Sequence, residues 1–154
     1  PDWLNFVNNI LKHLLKGIIQ RLKMSTPEAN FWNTIRKNLP PKAFATRIEN
    51  RHGGGIPDSH IIWDGLAFWM EIKLTKTNIV KLSPHQISWN TIYSRRGGIN
   101  FILVKRTSDR DLFLFGGGQS VDVARDGLRV DPLFRGNRVG DIFPFIRDYC
   151  TMNH

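Results

Sequence analysis

Three things are scarce in this 154-residue chain: cysteine, long apolar runs and, through one stretch, acidic side chains. The single cysteine, Cys150, excludes a disulfide framework and a cysteine-rich zinc site. No apolar run is long enough to span a bilayer, and residues 1–23 lack the small-residue cleavage site of a secretory signal. The sequence therefore predicts a cytoplasmic protein with no membrane partner.

Basic side chains outnumber the acidic ones. The chain has 22 Lys and Arg against 13 Asp and Glu, a net charge of +9, and residues 73–106 carry seven cations and no acid. Hydrophobic residues make up 41% of the chain, which is enough for a folded domain and argues against disorder. A concentrated positive surface on a folded domain favours a nucleic-acid backbone as the partner.

The chain divides into three segments. Residues 1–23 predict an amphipathic helix, because apolar residues recur at helical spacing from Trp3 to Leu22. This helix could pack, join two copies of the chain or lie on a membrane surface, and Met24 could be a natural start preceded by an added segment. Residues 24–106 hold the chemical motifs, and residues 107–154 form a C-terminal extension that we expect to pack on that core.

The order of predicted elements indicates the fold class. A helix is expected at 26–38, with Ser25 as its cap and Glu28 completing a capping box. Further along we expect strands at 43–50, 56–63 and 66–74, a helix from Ser83 to Arg96, strands at 100–106 and 111–115, and a helix near 141–150. This order predicts an α/β protein, an α+β mixed sheet with helices packed against it.

A hairpin in the middle segment places two carboxylates opposite each other. The Asp64-Gly65 pair favours a two-residue type I′ turn, and Asp58 and Glu71 are equally distant from it. The two acids should therefore face each other across the strands, with Lys73 on the same face as Glu71. Opposed carboxylates repel unless a cation lies between them, and oxygen ligands suit a divalent cation. The pattern favours metal-assisted phosphodiester hydrolysis, with a solvated strand as the alternative.

The same residues resemble a known nuclease motif. Residues 55–58 (GIPD), twelve further residues and then 71–73 (EIK) resemble the PD-(D/E)XK motif. Residues 81–86 (KLSPHQ), followed by Trp89 and the glycines 97–98, are similar to the VRR-NUC family of virus-type replication and repair nucleases within that superfamily. The resemblance covers about residues 25–106 and implies a restriction-endonuclease-like core of helix, three strands, helix and strand.

The resemblance implies a role for each motif residue. Asp58, Glu71 and the backbone carbonyl of Ile72 would hold Mg²⁺, or Mn²⁺ in its place. Lys73 would be the catalytic lysine. Gln86 would point from its helix into the site and help to place Lys73 or the attacking water. A second possibility is that Gln86 only completes a capping box, and one side chain could do both.

Two accessory acids and several cations complete the expected site. Glu28 matches the family's acid on the first helix, usually a ligand to a water on the metal, although it could serve only as a cap. Glu49 competes for this accessory role, or it is a surface acid. The expected DNA contacts, each of which could also be an ordinary solvated cation, are Lys76, Lys81, Arg95 and Arg96.

Taken as a whole, the resemblance implies a metal-dependent DNA endonuclease. Small stand-alone, phage-type members of the family act as homodimers on branched DNA such as Holliday junctions, with no small-molecule cofactor. If a phage encodes this chain, its compartment is the host cytoplasm. A flap-type or less selective nuclease remains an alternative. So does a DNA-binding module with an inactive nuclease fold, although Asp58, Glu71 and Lys73 are all present.

Overall fold

The computed structural model describes residues 2–23, 26–48 and 54–153 of the chain. The helices are α1 (Asp2–Lys23), α2 (Pro27–Lys37), α3 (Pro84–Arg95), α4 (Ser120–Asp126) and α5 (Ile142–Asn153). The strands are β1 (Phe44–Arg47), β2 (Ser59–Trp63), β3 (Leu66–Thr75), β4 (Asn100–Arg106), β5 (Leu112–Gly116) and β6 (Phe134–Gly136). The predicted α+β class, a mixed sheet with helices packed against it, is confirmed.

One six-stranded sheet, in the order β1-β2-β3-β4-β5-β6, organises the molecule. Neighbouring strands are antiparallel except β3 and β4, which are parallel because α3 carries the chain back between them. The first five residues of β4 are buried, as expected for a central strand covered on both faces. Alternate residues of β4 enter different cores, since Phe101 and Leu103 belong to one and Ile102 and Val104 to the other.

The larger core lies between the sheet and the pair α2 and α5. The apolar face of α2 contributes Phe31, Trp32 and Ile35. The apolar face of α5 contributes Ile142, Phe143, Ile146 and Cys150. Cys150 is 1% exposed, and burial raises the pKa of its thiol. The last helix of the chain is therefore part of the main core.

The N-terminal helix α1 leaves its apolar residues exposed. Trp3 is 71% exposed and Leu14 is 58% exposed, and neither core includes any of the described side chains of α1. The described apolar residues of α1 therefore contact neither core, and a role of this helix in packing, in joining two copies or at a membrane surface stays a prediction. In the described parts of the chain, no helix combines the length and the apolar character that crossing a bilayer requires.

The start of α2 differs from the prediction. Thr26 is the N-cap, because its backbone is extended and its hydroxyl oxygen accepts a hydrogen bond from the N–H of Ala29 at 3.1 Å. Glu28 is then the second residue of the helix and misses the capping-box position by one residue, so the capping role predicted for it is wrong. The predicted cap, Ser25, lies outside the described residues.

Candidate active site

The register of the β2–β3 hairpin agrees with the sequence prediction. Both residues of the Asp64-Gly65 turn have positive φ, 52° and 77°, as a type I′ turn requires. Ser59 pairs with Met70, so the next position along the two strands brings Asp58 opposite Glu71.

Asp58 lies just before β2 and not within it. The strand predicted at 56–63 begins only at Ser59. At the preceding residue, a side-chain oxygen takes the place of a backbone carbonyl as hydrogen-bond acceptor, because Oδ2 of Asp58 accepts a hydrogen bond from the N–H of Ile72 at 3.0 Å. Pro57, which has no N–H, also limits pairing here. The carboxylate is consequently held across the hairpin, beside Glu71.

A glycine brings the loop before Asp58 against the start of α3. Gly55 has φ of +69°, and a Cβ atom placed on it would lie 2.2 Å from the carbonyl oxygen of His85. Only glycine allows both this backbone conformation and this close approach. The loop and the first turn of α3 therefore meet at the edge of the site.

Glu71 is a buried carboxylate with one oxygen left without a partner. Its Oε1 accepts a hydrogen bond from the side-chain amide of Gln86 at 2.6 Å and lies 3.1 Å from Nζ of Lys73. Its Oε2 is buried and has no hydrogen-bond partner among the described residues. Burial, and then the charge of Asp58, raise the pKa of Glu71 to about 7, although Lys73 opposes the shift.

Asp58 shares this environment. Burial raises the pKa of the Asp58 carboxyl, while the N–H of Ile72 and the charge of Lys73 act in the opposite direction. Two neighbouring carboxyls whose pKa values are both raised indicate a place where negative charge is poorly compensated by the protein itself.

Gln86 joins α3 to the site. At the start of the helix, the hydroxyl oxygen of Ser83 accepts a hydrogen bond from the N–H of Gln86 at 3.2 Å, and the side-chain oxygen of Gln86 accepts one from the N–H of Ser83 at 3.0 Å. The predicted capping box is confirmed. The same oxygen accepts from Nζ of Lys73 at 3.0 Å, and the amide nitrogen donates to Glu71. One side chain thus makes both sets of contacts.

A cleft of about 700 Å³ opens beside Asp58 and Lys73. Most of its charged lining is basic, and the charged residues around it are Glu28, Arg47, Asp58, Lys73, Lys76 and Lys81. Arg47 was missed in the sequence analysis, although its position at the end of a strand before the glycine loop was a signal. Its charge helps to lower the pKa of Asp58 against the effect of burial.

The structure separates the four predicted DNA contacts into two pairs. Lys76 and Lys81 line the cleft. Arg95 and Arg96 lie at the opposite end of α3, about 13 Å along the helix from Gln86 at the usual rise per residue. The two pairs could therefore contact different parts of one DNA molecule.

Of the two expected accessory acids, the structure describes one, Glu28. Glu28 lines the cleft, and its charge contributes to the raised pKa of Asp58. Over residues 2–23, 26–48 and 54–153, no three His, Cys, Asp or Glu side chains come close enough together to hold a metal. Glu49 lies outside the described residues. Glu28 therefore does not form a three-ligand group with Asp58 and Glu71, and its role through a water on the metal stays a prediction.

Of three comparisons with known proteins, the search of solved structures finds matches. A scan against protein-family models finds no match, and no curated protein sequence is significantly similar. Among the solved structures that match is Hjc of Archaeoglobus fulgidus, a Holliday junction resolvase from an archaeal hyperthermophile. It is 16% identical, with a TM-score of 0.43, over 58% of this chain and 69% of that one.

Proposed function

We propose that the chain is a DNA endonuclease of the PD-(D/E)XK type, similar to VRR-NUC proteins, that hydrolyses phosphodiester bonds with the help of a divalent cation. One observation carries this proposal. Asp58 and Lys73 line a basic cleft, and Glu71, which lies opposite Asp58 and 3.1 Å from Lys73, has a buried oxygen without a partner among the described residues.

The donor set fits a hard divalent cation. Asp58 and Glu71 supply carboxylate oxygens, and Ile72 would add its backbone carbonyl oxygen. The raised pKa of both carboxyls supports this assignment, because a cation between them would compensate the negative charge. We propose Mg²⁺, with Mn²⁺ as a substitute; when bound, such an ion lowers the pKa of a coordinated water and offsets charge on the phosphate.

Lys73 is the residue that would act on the phosphate. Its Nζ is held by the Glu71 carboxylate at 3.1 Å and by the side-chain oxygen of Gln86 at 3.0 Å, while part of its side chain faces the cleft. A cation fixed at this point can hydrogen-bond the attacking water or stabilise the negative charge that develops on the phosphoryl oxygens. Gln86 orients Lys73 and Glu71 together, because it contacts both.

The cleft supports DNA as the substrate. Arg47, Lys76 and Lys81 could neutralise phosphates on either side of the scissile bond. The sequence resemblance supports a branched substrate, Holliday junctions in particular, and a homodimer as the active form.

Cleavage of labelled DNA tests this proposal. Linear, flap and four-way DNA are incubated with the protein in Mg²⁺, in Mn²⁺ and in EDTA. We expect cleavage only with metal, and faster on the branched molecules. Asp58→Asn should lower cleavage by orders of magnitude while DNA binding in EDTA persists, because the variant loses a hard anionic ligand but keeps its shape.

A matched pair of lysine variants completes the test. Lys73→Ala should abolish cleavage and leave metal binding largely intact, whereas Lys37→Ala, which removes an equal charge at the exposed end of α2, should cleave normally. Tight DNA binding without cleavage in either metal would instead identify a DNA-binding module with an inactive nuclease fold. Equal rates on all DNA shapes would indicate a less selective nuclease.

A further inference from the structure

A row of aromatic rings continues from the site along α3. Trp69 projects from the same face of β3 as Glu71, two residues away, and His60 lies opposite it with ring centroids 4.7 Å apart. The edge of Trp89 meets Trp69 at 5.7 Å, and Tyr93, one turn further, stacks on Trp89 at 4.6 Å with 13° between the planes. We call His60, Trp69, Trp89 and Tyr93 the aromatic row.

The aromatic row is not part of the hydrophobic interior. None of its members belongs to either core or packs against one, and all of them remain partly exposed. Aromatic side chains that stand next to one another outside the cores and are partly accessible form a candidate contact surface.

An open groove borders the aromatic row. It has a volume of about 560 Å³ and is lined by Trp89, Ile92, Tyr93, Arg96 and the glycines 97–98. Ile92 is 51% exposed. Gly98 keeps the groove in shape, because a Cβ atom there would lie 2.2 Å from the ring of Tyr93. The groove thus combines flat apolar walls with a cationic rim.

The surrounding charge identifies the occupant. Between Glu71 and Asp109 the sequence contains no acid, and Arg95 and Arg96 stand where the groove ends. An apolar π surface beside cations complements a nucleobase attached to its phosphate.

We propose that this groove binds an unpaired nucleobase of the DNA strand, by stacking on Tyr93 and Trp89 with Arg96 at the phosphate. The inference rests on the proposed function. From Gln86 to Tyr93 is about 10 Å along α3, which corresponds to roughly three stacked nucleotides from the cleavage site. The groove would favour DNA that presents unpaired bases next to a branch, because a fully paired duplex keeps its bases stacked inside.

The experiment uses the full chain in EDTA, so that binding is measured without cleavage. The probes are a blunt duplex and the same duplex with a single-stranded flap that carries 2-aminopurine at successive positions. We expect quenching of the 2-aminopurine at one or two neighbouring positions of the flap and not at the others. Tyr93→Leu should weaken binding of the flap DNA about 5- to 100-fold with little change for the blunt duplex, and Tyr93→Phe should behave as wild type.

A second variant perturbs the same groove without removing a ring. Gly98→Ala should displace the Tyr93 ring and reproduce the loss of flap preference. Three results would overturn the stacking site. Tyr93→Leu could weaken binding of both DNA probes equally, it could leave the affinity for both unchanged, or the 2-aminopurine could show no quenching at any position. A dimer in the absence of DNA that Tyr93→Leu dissociates would also overturn it, since the groove would then be filled by a second copy.

The proposal and the nuclease assignment fail in different ways. If wild-type protein cleaves DNA with metal but shows no flap preference that depends on Tyr93, the groove is wrongly assigned and the nuclease assignment stands. If the protein binds neither probe, both assignments fail.

Discussion

Glu71 makes the stability of the protein depend on pH. Its pKa is about 7 in the folded protein, against an ordinary value of 4.5. An acid whose folded pKa is raised stabilises the fold fully below its unfolded pKa, and this contribution is lost as the pH rises through the folded pKa. Without metal, the free energy of unfolding should therefore fall between about pH 4.5 and pH 7, by on the order of 3 kcal/mol.

A neutral side chain at this position should remove the effect. Glu71→Gln keeps the shape and the contact with Gln86, so in EDTA we expect a higher unfolding midpoint than wild type at pH 8 and no difference at pH 4.5. Urea unfolding at both pH values measures this. Asp148→Asn, a change at an exposed acid of α5, serves as the control. Equal stability of Glu71→Gln and wild type at pH 8 would show that Glu71 is not destabilised by its surroundings.

At the scale of residues, the sequence predicted those contacts that follow from local spacing. Gln86 is an example: the S-P-x-Q pattern predicts its capping contacts, and the motif predicts its direction towards Lys73. Arg47 could not be assigned in the same way. Its position at the end of β1 before the glycine loop was a signal, but its place in the cleft depends on how β1 and β3 come together, which local spacing does not encode.

Two glycines with positive φ allow backbone strain to be separated from packing. Gly65 has φ of +77°, and a Cβ atom added there would meet no other atom within 4 Å. Gly55 has φ of +69°, and a Cβ atom added there would lie 2.2 Å from the backbone carbonyl oxygen of His85. Gly65→Ala should thus cost about 1–2 kcal/mol from conformation alone. Gly55→Ala should cost more, because the loop must also move away from α3.

Thermal unfolding and cleavage rates measured on both variants check this expectation. Since the Gly55 loop leads directly to Asp58, Gly55→Ala should lower cleavage as well as the unfolding midpoint. Gly65→Ala should affect mainly the midpoint, because the turn lies at the far end of the hairpin. If the two variants lose the same stability and the same activity, contact of the loop with α3 has no importance for the site.

The ends of elements were harder to predict than their presence. Ser25 and Thr26 are both good N-caps, and the sequence favoured Ser25 because Glu28 stands three residues after it. Only the hydrogen bond from Ala29 identifies Thr26. Strand β2 is similar, since the apolar alternation from Ile56 onwards is compatible with a longer strand. The choice depends on the side chain of Asp58 reaching Ile72, which is a contact between strands.

For the whole molecule, the charge distribution predicts strong salt dependence of DNA binding. The logarithm of the binding constant should fall linearly with the logarithm of salt concentration. Replacing Arg95 and Arg96 by alanine should weaken binding and flatten the slope by about 0.9 per lost phosphate contact. Fluorescence anisotropy with labelled DNA at several salt concentrations measures both quantities.

Two arginines elsewhere provide the control for this measurement. Arg125 already pairs with Asp122 and Asp126, and Arg138 lies near Asp141. Their double alanine variant loses the same charge, so it should leave the slope nearly unchanged. If both double variants flatten the slope equally, net charge rather than the end of α3 governs binding.

The first helix should be separable from the chemistry. Where its side chains are described, α1 contributes to neither core, and the described residues that line the cleft all come after it. A chain that starts at Met24 is therefore expected to keep metal-dependent cleavage, although its solubility or its association may change. Cleavage rates and sedimentation compare the two forms. A folded short chain with no activity would show that α1 belongs to the active assembly.

The arrangement of the last third of the chain was beyond the sequence analysis. Strands β5 and β6 extend the same sheet, and the apolar face of α5 packs in the larger core. Local patterns predicted a strand at 111–115 and a helix near 141–150. They did not predict the neighbours of those elements, because pairing between distant segments depends on how the whole sheet assembles.

The position of Cys150 has a practical consequence for labelling. A thiol that is 1% exposed, with its pKa raised by burial, reacts slowly with maleimides and with oxidants. As it is the single cysteine in the sequence, a second one introduced at an exposed position would take up a fluorophore or spin label selectively. Distances between such a label and labelled DNA could then be followed in solution without first removing the native thiol.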